Sequence, residues 1–266
     1  MSTSFDRNRA QLRCENFLNC PTLELWNEAD FKSFILTVPQ AFLLSSDLIE
    51  DSKNFYFKGV LSLFEAIKSI EAGLFSWGTI KLYYSIYYFL RSTLALNGVA
   101  IVRQKSLYYL KVASGEGPVK KSAKRYNSDH SGTINHFIDL FSASDELLSQ
   151  VIDDTNAYDW LMQRREQVNY RERTFNEPNY SMFWEYIAVQ IQNGNLERLV
   201  NDYVQDNYVL CFQEENAPLA IPLKRALLTK DKFDKQGIST DLTIDQKNVL
   251  TNLLPFKSIA LAQLLT

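Results

Sequence analysis

The chain has 266 residues, of which 46% are hydrophobic and 22% charged, with 9 glycines, 7 prolines and a net charge of −3. This composition excludes a disordered chain and fits one large domain, or one domain with an appendage. The charge excludes a global basic field for nucleic acid, so any RNA contact must come from a local patch, including one built by two subunits. Cys14, Cys20 and Cys211 are odd in number and irregular in spacing, which predicts reduced thiols in a cytoplasmic protein. With 2 histidines in the chain, a Cys14–Cys20 metal clip is disfavoured and no metal or other cofactor is expected. The polar start, Met1 to Gln11, lacks the apolar core of a signal peptide. Lys81, Arg91 and several tyrosines interrupt the apolar stretch from Leu74 to Leu96, so it reads as protein core and not as a membrane span.

In chain order, Phe31, Phe34, Ile35 and Val38 predict a short helix that stops near Pro39. Phe57, Val60, Leu61, Phe64, Ile67 and Ile70 recur with a period near ~3.6, which predicts a helix over 56–73 closed by Gly73. A second helix runs from about Ser76 to Asn97, with Trp77, Ile80, Tyr84, Tyr87, Arg91 and Leu94 on one face and Asn97-Gly98 as its stop. Val99 to Leu110 is extended or a short helix, and Val112 to Asp129 is a basic loop. Helices follow over 130–141, over 156–173 with Pro178 at or after its end, and over 182–206 with a kink at Gly194. Tyr208 to Leu228 reads as extended pieces between prolines, and Asp241 to Leu254 as a helix with Asp245 in its first turn. Leu250, Leu253, Leu254 and Leu261 supply apolar surface for docking, and a soft boundary falls near residue 207.

The chemistry concentrates in Arg164-Arg165-Glu166-Gln167-Val168-Asn169-Tyr170. On a helix, residues four apart share a face, so Arg165 and Asn169 point the same way, while Tyr170 lies well round the helix but has a long ring that can lean back. A guanidinium beside an amide and a phenol suits phosphate: the guanidinium grips two oxygens and the amide orients a hydroxyl. The same run, with Arg171, Glu172 and Arg173, also reads as a solvated charged face laced by ion pairs, and spacing alone leaves both readings open.

The helix carrying Trp77, Tyr83, Tyr84 and Tyr87 and ending in Asn97-Gly98, together with the later Arg165-x4-Tyr170, resembles the HEPN superfamily (higher eukaryotes and prokaryotes nucleotide-binding domains) over roughly 55–205. The resemblance implies an all-α, HEPN-like helical bundle over 1–207 and a small, mainly helical C-terminal appendage over 208–266. It implies a homodimer whose shared cleft cuts RNA without metal, in prokaryotic antiviral defence or a toxin-type system, beside a partner ATPase or an antitoxin protein. Family enzymes pair an Arg with a His. A base takes the ribose 2′-OH proton, that oxygen attacks the adjacent phosphate, and an acid protonates the leaving 5′-oxygen. Carried over, Arg165 stabilises the phosphorane, Asn169 is a polar spacer residue and Tyr170 stands in the His place.

That departure matters, because imidazole titrates near ~6.5 and a phenol near ~10. The phenol serves as an acid or hydrogen-bond donor more readily than as a base, which leaves a non-catalytic scaffold or regulator binding RNA, nucleotide or protein as the alternative. His130 and His136 lie outside the motif; they read as a loop or cap residue and a partly buried residue, unless one supplies the missing base. Lys120, Lys121, Lys124 and Arg125, next to Tyr126, form the best basic cluster for a nucleic-acid backbone, with Arg164 as a further contact; a solvated loop is the plain reading of the cluster. Asp145-Glu146 and Asp153-Asp154 fit helix N-terminal turns. The sequence holds no phosphate loop of the Gly-x4-Gly-Lys-Ser/Thr type.

Overall fold

Long apolar periodicity and few breakers give a mainly α-helical chain with two short β-hairpins. The structure, a computed structural model, describes residues 7–175, 177, 179–253 and 259–266. The polar residues before Arg7, the helix-ending Pro178 and the docking residue Leu254 therefore lie outside the described residues.

The chain forms two compact units. Met1–Phe55 with Leu90–Phe137 make the first, and Tyr56–Phe89 with Ile138–Thr266 the second. In the first, α1 (Arg9–Phe17) is capped by the Asn8 side chain, and α2 (Glu28–Ser33) by Asn27. Pro39 then opens a helix and does not close one: α3 (Val38–Glu71) starts one residue before it. A proline in a first turn gives up an N–H that has no intrahelical partner anyway, and Gln40 reaches back to the Thr37 N–H at 2.9 Å as in a capping box. Gly73, at φ +79, ends α3, and α4 (Phe75–Leu96) returns until Gly98 at φ +71.

Val99–Leu110 is extended. Strands β1 (Val99–Arg103) and β2 (Leu107–Lys111) pair antiparallel, with Ile101 opposite Tyr109. The first unit's core gathers Cys14, Leu23, Phe31, Leu44, Leu48, Val102 and Tyr108, and the Phe31 and Tyr108 rings meet edge to face at 5.0 Å. Asp51 of α3 accepts the Arg9 and Ala10 N–H groups at 2.8 and 2.9 Å, which anchors the start of α1. Helix α5 (Asp129–Phe141) follows the basic segment and spans both units.

The second unit opens with a hairpin of β3 (Val151–Ile152) and β4 (Thr155–Asn156). Asp153 and Asp154 form its turn, at φ 46 and 60. They do not sit in a helix N-terminus: two positive φ values in a two-residue turn favour short polar side chains. Next come α6 (Ala157–Glu166) and a π-turn over Gln167–Arg171. The helical stretch over 182–206 divides into α7 (Glu185–Gln192) and α8 (Leu196–Gln205), broken at Gly194 with φ +72. Helix α9 (Ala217–Lys235) replaces the extended pieces read between the prolines. Pro218 occupies its start, and Pro222 falls in the second turn, where its missing N–H forfeits a single intrahelical bond. Helices α10 (Ile244–Leu253) and α11 (Ile259–Ala262) complete the mainly helical C-terminal segment; Leu250 and Leu261 are buried and Asp245 lies in the first turn of α10.

Described residues beyond 207 belong to the second unit and add to its core. Arg225 of α9, 3% exposed, is ion-paired with Asp145, and the Tyr158 hydroxyl donates to Asp145 at 2.8 Å and accepts from Arg225 at 3.2 Å. Burial, and then the Asp145 charge, raise the Tyr158 pKa well above that of an ordinary phenol, so it stays a donor. Replacing Arg225 with Ala strands the Asp145 carboxylate inside the core. The expected loss is about 3–5 kcal/mol of unfolding free energy, read by urea denaturation. Burial also pushes the Cys14 and Cys211 thiols up to about 12, and Cys20 is less buried. At pH ~8 an aromatic disulfide reagent should therefore label Cys20 first, and reach the other two thiols only after denaturation, as followed by absorbance.

Candidate nucleic-acid interface

Helix α6 is fixed at its start and displays its end. Asn156 caps it through the Tyr158 and Asp159 N–H groups, and Tyr158, Trp160 and Leu161 are buried. Its last turn carries Arg164 and Arg165, and the helix then widens into the π-turn, marked by the Glu172 N–H donating to the Gln167 carbonyl at 3.0 Å. In a π-turn the backbone N–H bonds to the carbonyl five residues back, so the turn is wider than one of an α-helix. Tyr170, within this turn, meets Arg165, whose Nη2 donates to the Tyr170 hydroxyl at 3.3 Å.

Three rings surround the Arg165 guanidinium: Tyr170 at 5.0 Å, Tyr83 at 5.4 Å and Tyr84 at 5.9 Å. Among the described residues Arg165 has no carboxylate partner, and its Nε, removed from solvent, donates to no acceptor. The half-buried cation thus rests on ring faces, which hold a guanidinium through their quadrupoles without satisfying its N–H groups. Tyr83 is 1% exposed, and burial raises its pKa far enough that the opposing pull of Arg165 leaves the phenol protonated. Tyr170 is 69% exposed. Asn169 is half-buried and its side chain makes no hydrogen bond among the described residues, so the structure joins Arg165 to Tyr170 and not to the Asn169 amide.

Arg164 has a different setting. It pairs with Asp153 at 3.1 Å, donates to Gln167 at 3.3 Å and lies over the rings of Trp160 at 4.8 Å and Phe183 at 5.6 Å. It ties α6 to the β3–β4 turn. Arg171 pairs loosely with Glu166 at 3.8 Å, so part of the run is the solvated charged face that spacing allowed.

The two histidines belong to the first unit, where His136 stacks on Tyr109 with ring centres 4.0 Å apart. The basic cluster lies in the same unit. Lys120 pairs with Glu28 at 3.1 Å, Lys121 sits 4.8 Å over the Tyr126 ring, Arg125 sits 5.0 Å over it, and Lys124 is exposed. Hydrogen bonds from Lys32, Tyr108 and Lys120 hold the Glu28 carboxyl down at about 2, so it remains a fixed anion. Arg103 and Lys105, beside this cluster, escaped the sequence reading. Their signal was two cations flanking the tip of a predicted extended segment.

No family model matches this chain, and no curated protein or solved structure matches it. The contrast between the two arginines gives a direct test. Arg164→Ala removes an ion pair and two ring contacts and should lower unfolding free energy by about 1–2 kcal/mol, a larger loss than Arg165→Ala produces, as measured by urea denaturation.

Proposed function

We propose that the protein is a HEPN-like RNA-binding protein of a prokaryotic antiviral defence or toxin-type system, in which Arg165 grips a phosphate of bound RNA. The observation that carries this reading is a guanidinium held on the faces of Tyr83, Tyr84 and Tyr170 with no carboxylate among the described residues to neutralise it. A phosphate satisfies the N–H groups that ring faces leave open, and the exposed Tyr170 hydroxyl adds a donor beside it. Tyr84 and Tyr88, with ring centres 6.2 Å apart, continue the aromatic surface along α4 and offer faces on which bases stack. In this reading the protein works in the cytoplasm as a homodimer, beside an ATPase or antitoxin partner, as the family resemblance implies.

The Arg165–Tyr170 hydrogen bond favours a second reading, metal-independent RNA cleavage. Arg165 stabilises the phosphorane and Tyr170 protonates the leaving 5′-oxygen. The 2′-OH proton then needs a base, and the buried phenol of Tyr83, with its pKa raised, does not provide one. Binding is accordingly the primary reading.

Both are tested with a labelled single-stranded RNA in EDTA. Arg165→Ala should weaken binding about tenfold or more and flatten the salt dependence by about one phosphate contact. Unchanged affinity in that variant sinks the proposal. RNA cut by the wild type and left intact by Arg165→Ala and Tyr170→Phe makes the second reading the correct one.

A further inference from the structure

The first unit carries a second concentration of positive charge, with a different geometry. Arg103 ends β1, and Lys105 and Ser106 form the hairpin turn that leads into Leu107. The chain then passes back along β2: Val119 and Tyr109 exchange backbone hydrogen bonds at 2.8 and 2.9 Å, which sets Lys120 and Lys121 beside that hairpin. Asn127 lies just ahead of α5. These elements enclose a concavity of about 380 Å³, its open mouth included, lined by Arg103, Lys105, Lys120, Lys121, Ser106 and Asn127 together with Leu107 and Tyr126.

Four of the lining side chains are cations and none is a carboxylate. The acids that balance two of them stand outside the lining: Arg103 pairs with Asp129 at 2.5 Å and Lys120 with Glu28 at 3.1 Å. Glu28 also accepts from Lys32 at 2.9 Å and from the Tyr108 hydroxyl at 2.7 Å, so Lys120 is aimed from a fixed anchor. Lys121 lies over the Tyr126 ring at 4.8 Å, and the exposed Lys105 side chain has no hydrogen-bond or ion-pair partner among the described residues. Like charges converging on one depression repel, and an anion placed between them relieves that repulsion. A planar guanidinium, ammonium groups, a hydroxyl and an amide around a small concavity form a donor set suited to phosphate oxygens.

We propose that this concavity is a binding site for a compact phosphate-bearing anion of the diphosphate or triphosphate class. The cations line one depression and do not form a track, which suits a compact anion better than an extended chain. Lys124 and Arg125, which an extended nucleic-acid backbone would also use, lie outside the lining. The site is separate from Arg165 and does not depend on the function proposed for that residue.

The test is calorimetric titration of the full chain with inorganic pyrophosphate at low salt, using wild type, Lys105→Glu, Arg103→Gln and Arg165→Ala. The Lys105 side chain makes no hydrogen bond or ion pair among the described residues, so reversing its charge leaves the fold intact, which an unchanged melting curve verifies. The expected result is saturable 1:1 binding, weakened about tenfold or more by Lys105→Glu and by Arg103→Gln and unaffected by Arg165→Ala. No saturable heat up to millimolar pyrophosphate overturns the proposal, as does binding that Lys105→Glu leaves unchanged. A parallel titration uses a single-stranded oligonucleotide without terminal phosphates. If it binds, is weakened by Lys105→Glu, and pyrophosphate does not bind, the patch is a nucleic-acid contact and the compact site is rejected.

Discussion

The close approach of the two long helices within the second unit is the constraint on which the Arg165 site depends. A Cβ on Gly59 would stand 2.7 Å from the Phe89 ring, and one on Gly78 would stand 2.3 Å from Ile70 Cγ2. Glycine inside a helix costs about 1 kcal/mol relative to alanine, and here that cost permits backbone-to-ring packing that no other residue allows. Tyr56 meets Phe89 at 5.8 Å, and Lys81 reaches Ser69 at 3.1 Å and Glu65 at 3.4 Å across the same pair. With α4 held in this way, Tyr83 turns inward and Tyr84 lies half-buried beside it, their rings 5.7 Å apart. These rings form the floor on which Arg165 rests.

The partner of each cation separates structural arginines from the candidate site. Arg225 is sealed against Asp145 and Tyr158, and Arg164 is clamped between Asp153 and two rings. Each has its charge balanced within the chain. Arg165, one residue from Arg164, lies over three phenol rings and pairs with no carboxylate among the described residues. Neighbouring positions on a helix diverge by about 100°, so one arginine faces the hairpin and the next faces the tyrosines. The charged run therefore divides between two roles that spacing could not separate.

Local signals were the legible ones. Periodicity and the Asn97-Gly98 stop place a helix over 76–97, and α4 occupies Phe75–Leu96; the predicted helix over 130–141 corresponds to α5 at Asp129–Phe141. Prolines misled in two opposite ways. Pro39 reads as a stop, although its ring fits a first turn, and Pro218 and Pro222 disguise α9, whose helicity is sustained by burial of Leu219, Ile221, Leu223 and Phe233. The meeting of Arg165 and Tyr170 was legible as a ring that leans back, whereas the π-turn that carries Tyr170 was not, because side-chain spacing does not encode a shift in backbone hydrogen bonding. Tyr83 and Tyr84 were visible as part of a Tyr-rich helix. Their place beneath Arg165 is a contact between residues some eighty positions apart, beyond any local pattern.

The same long reach governs the order in which the second unit can be completed during synthesis. The buried Tyr56 hydroxyl donates to the Leu264 carbonyl at 2.9 Å, and Asp145 finds its guanidinium only at Arg225. A nascent chain that has emerged as far as α8 carries both halves of the long-helix pair but leaves Tyr56 and Asp145 without these partners. The unit must wait in an incomplete state while some sixty more residues are translated, for several seconds at ordinary elongation rates. Until α9 and the C-terminal segment dock, the hydroxyl of Tyr56 and the carboxylate of Asp145 lack these partners, and the unit's core is incomplete.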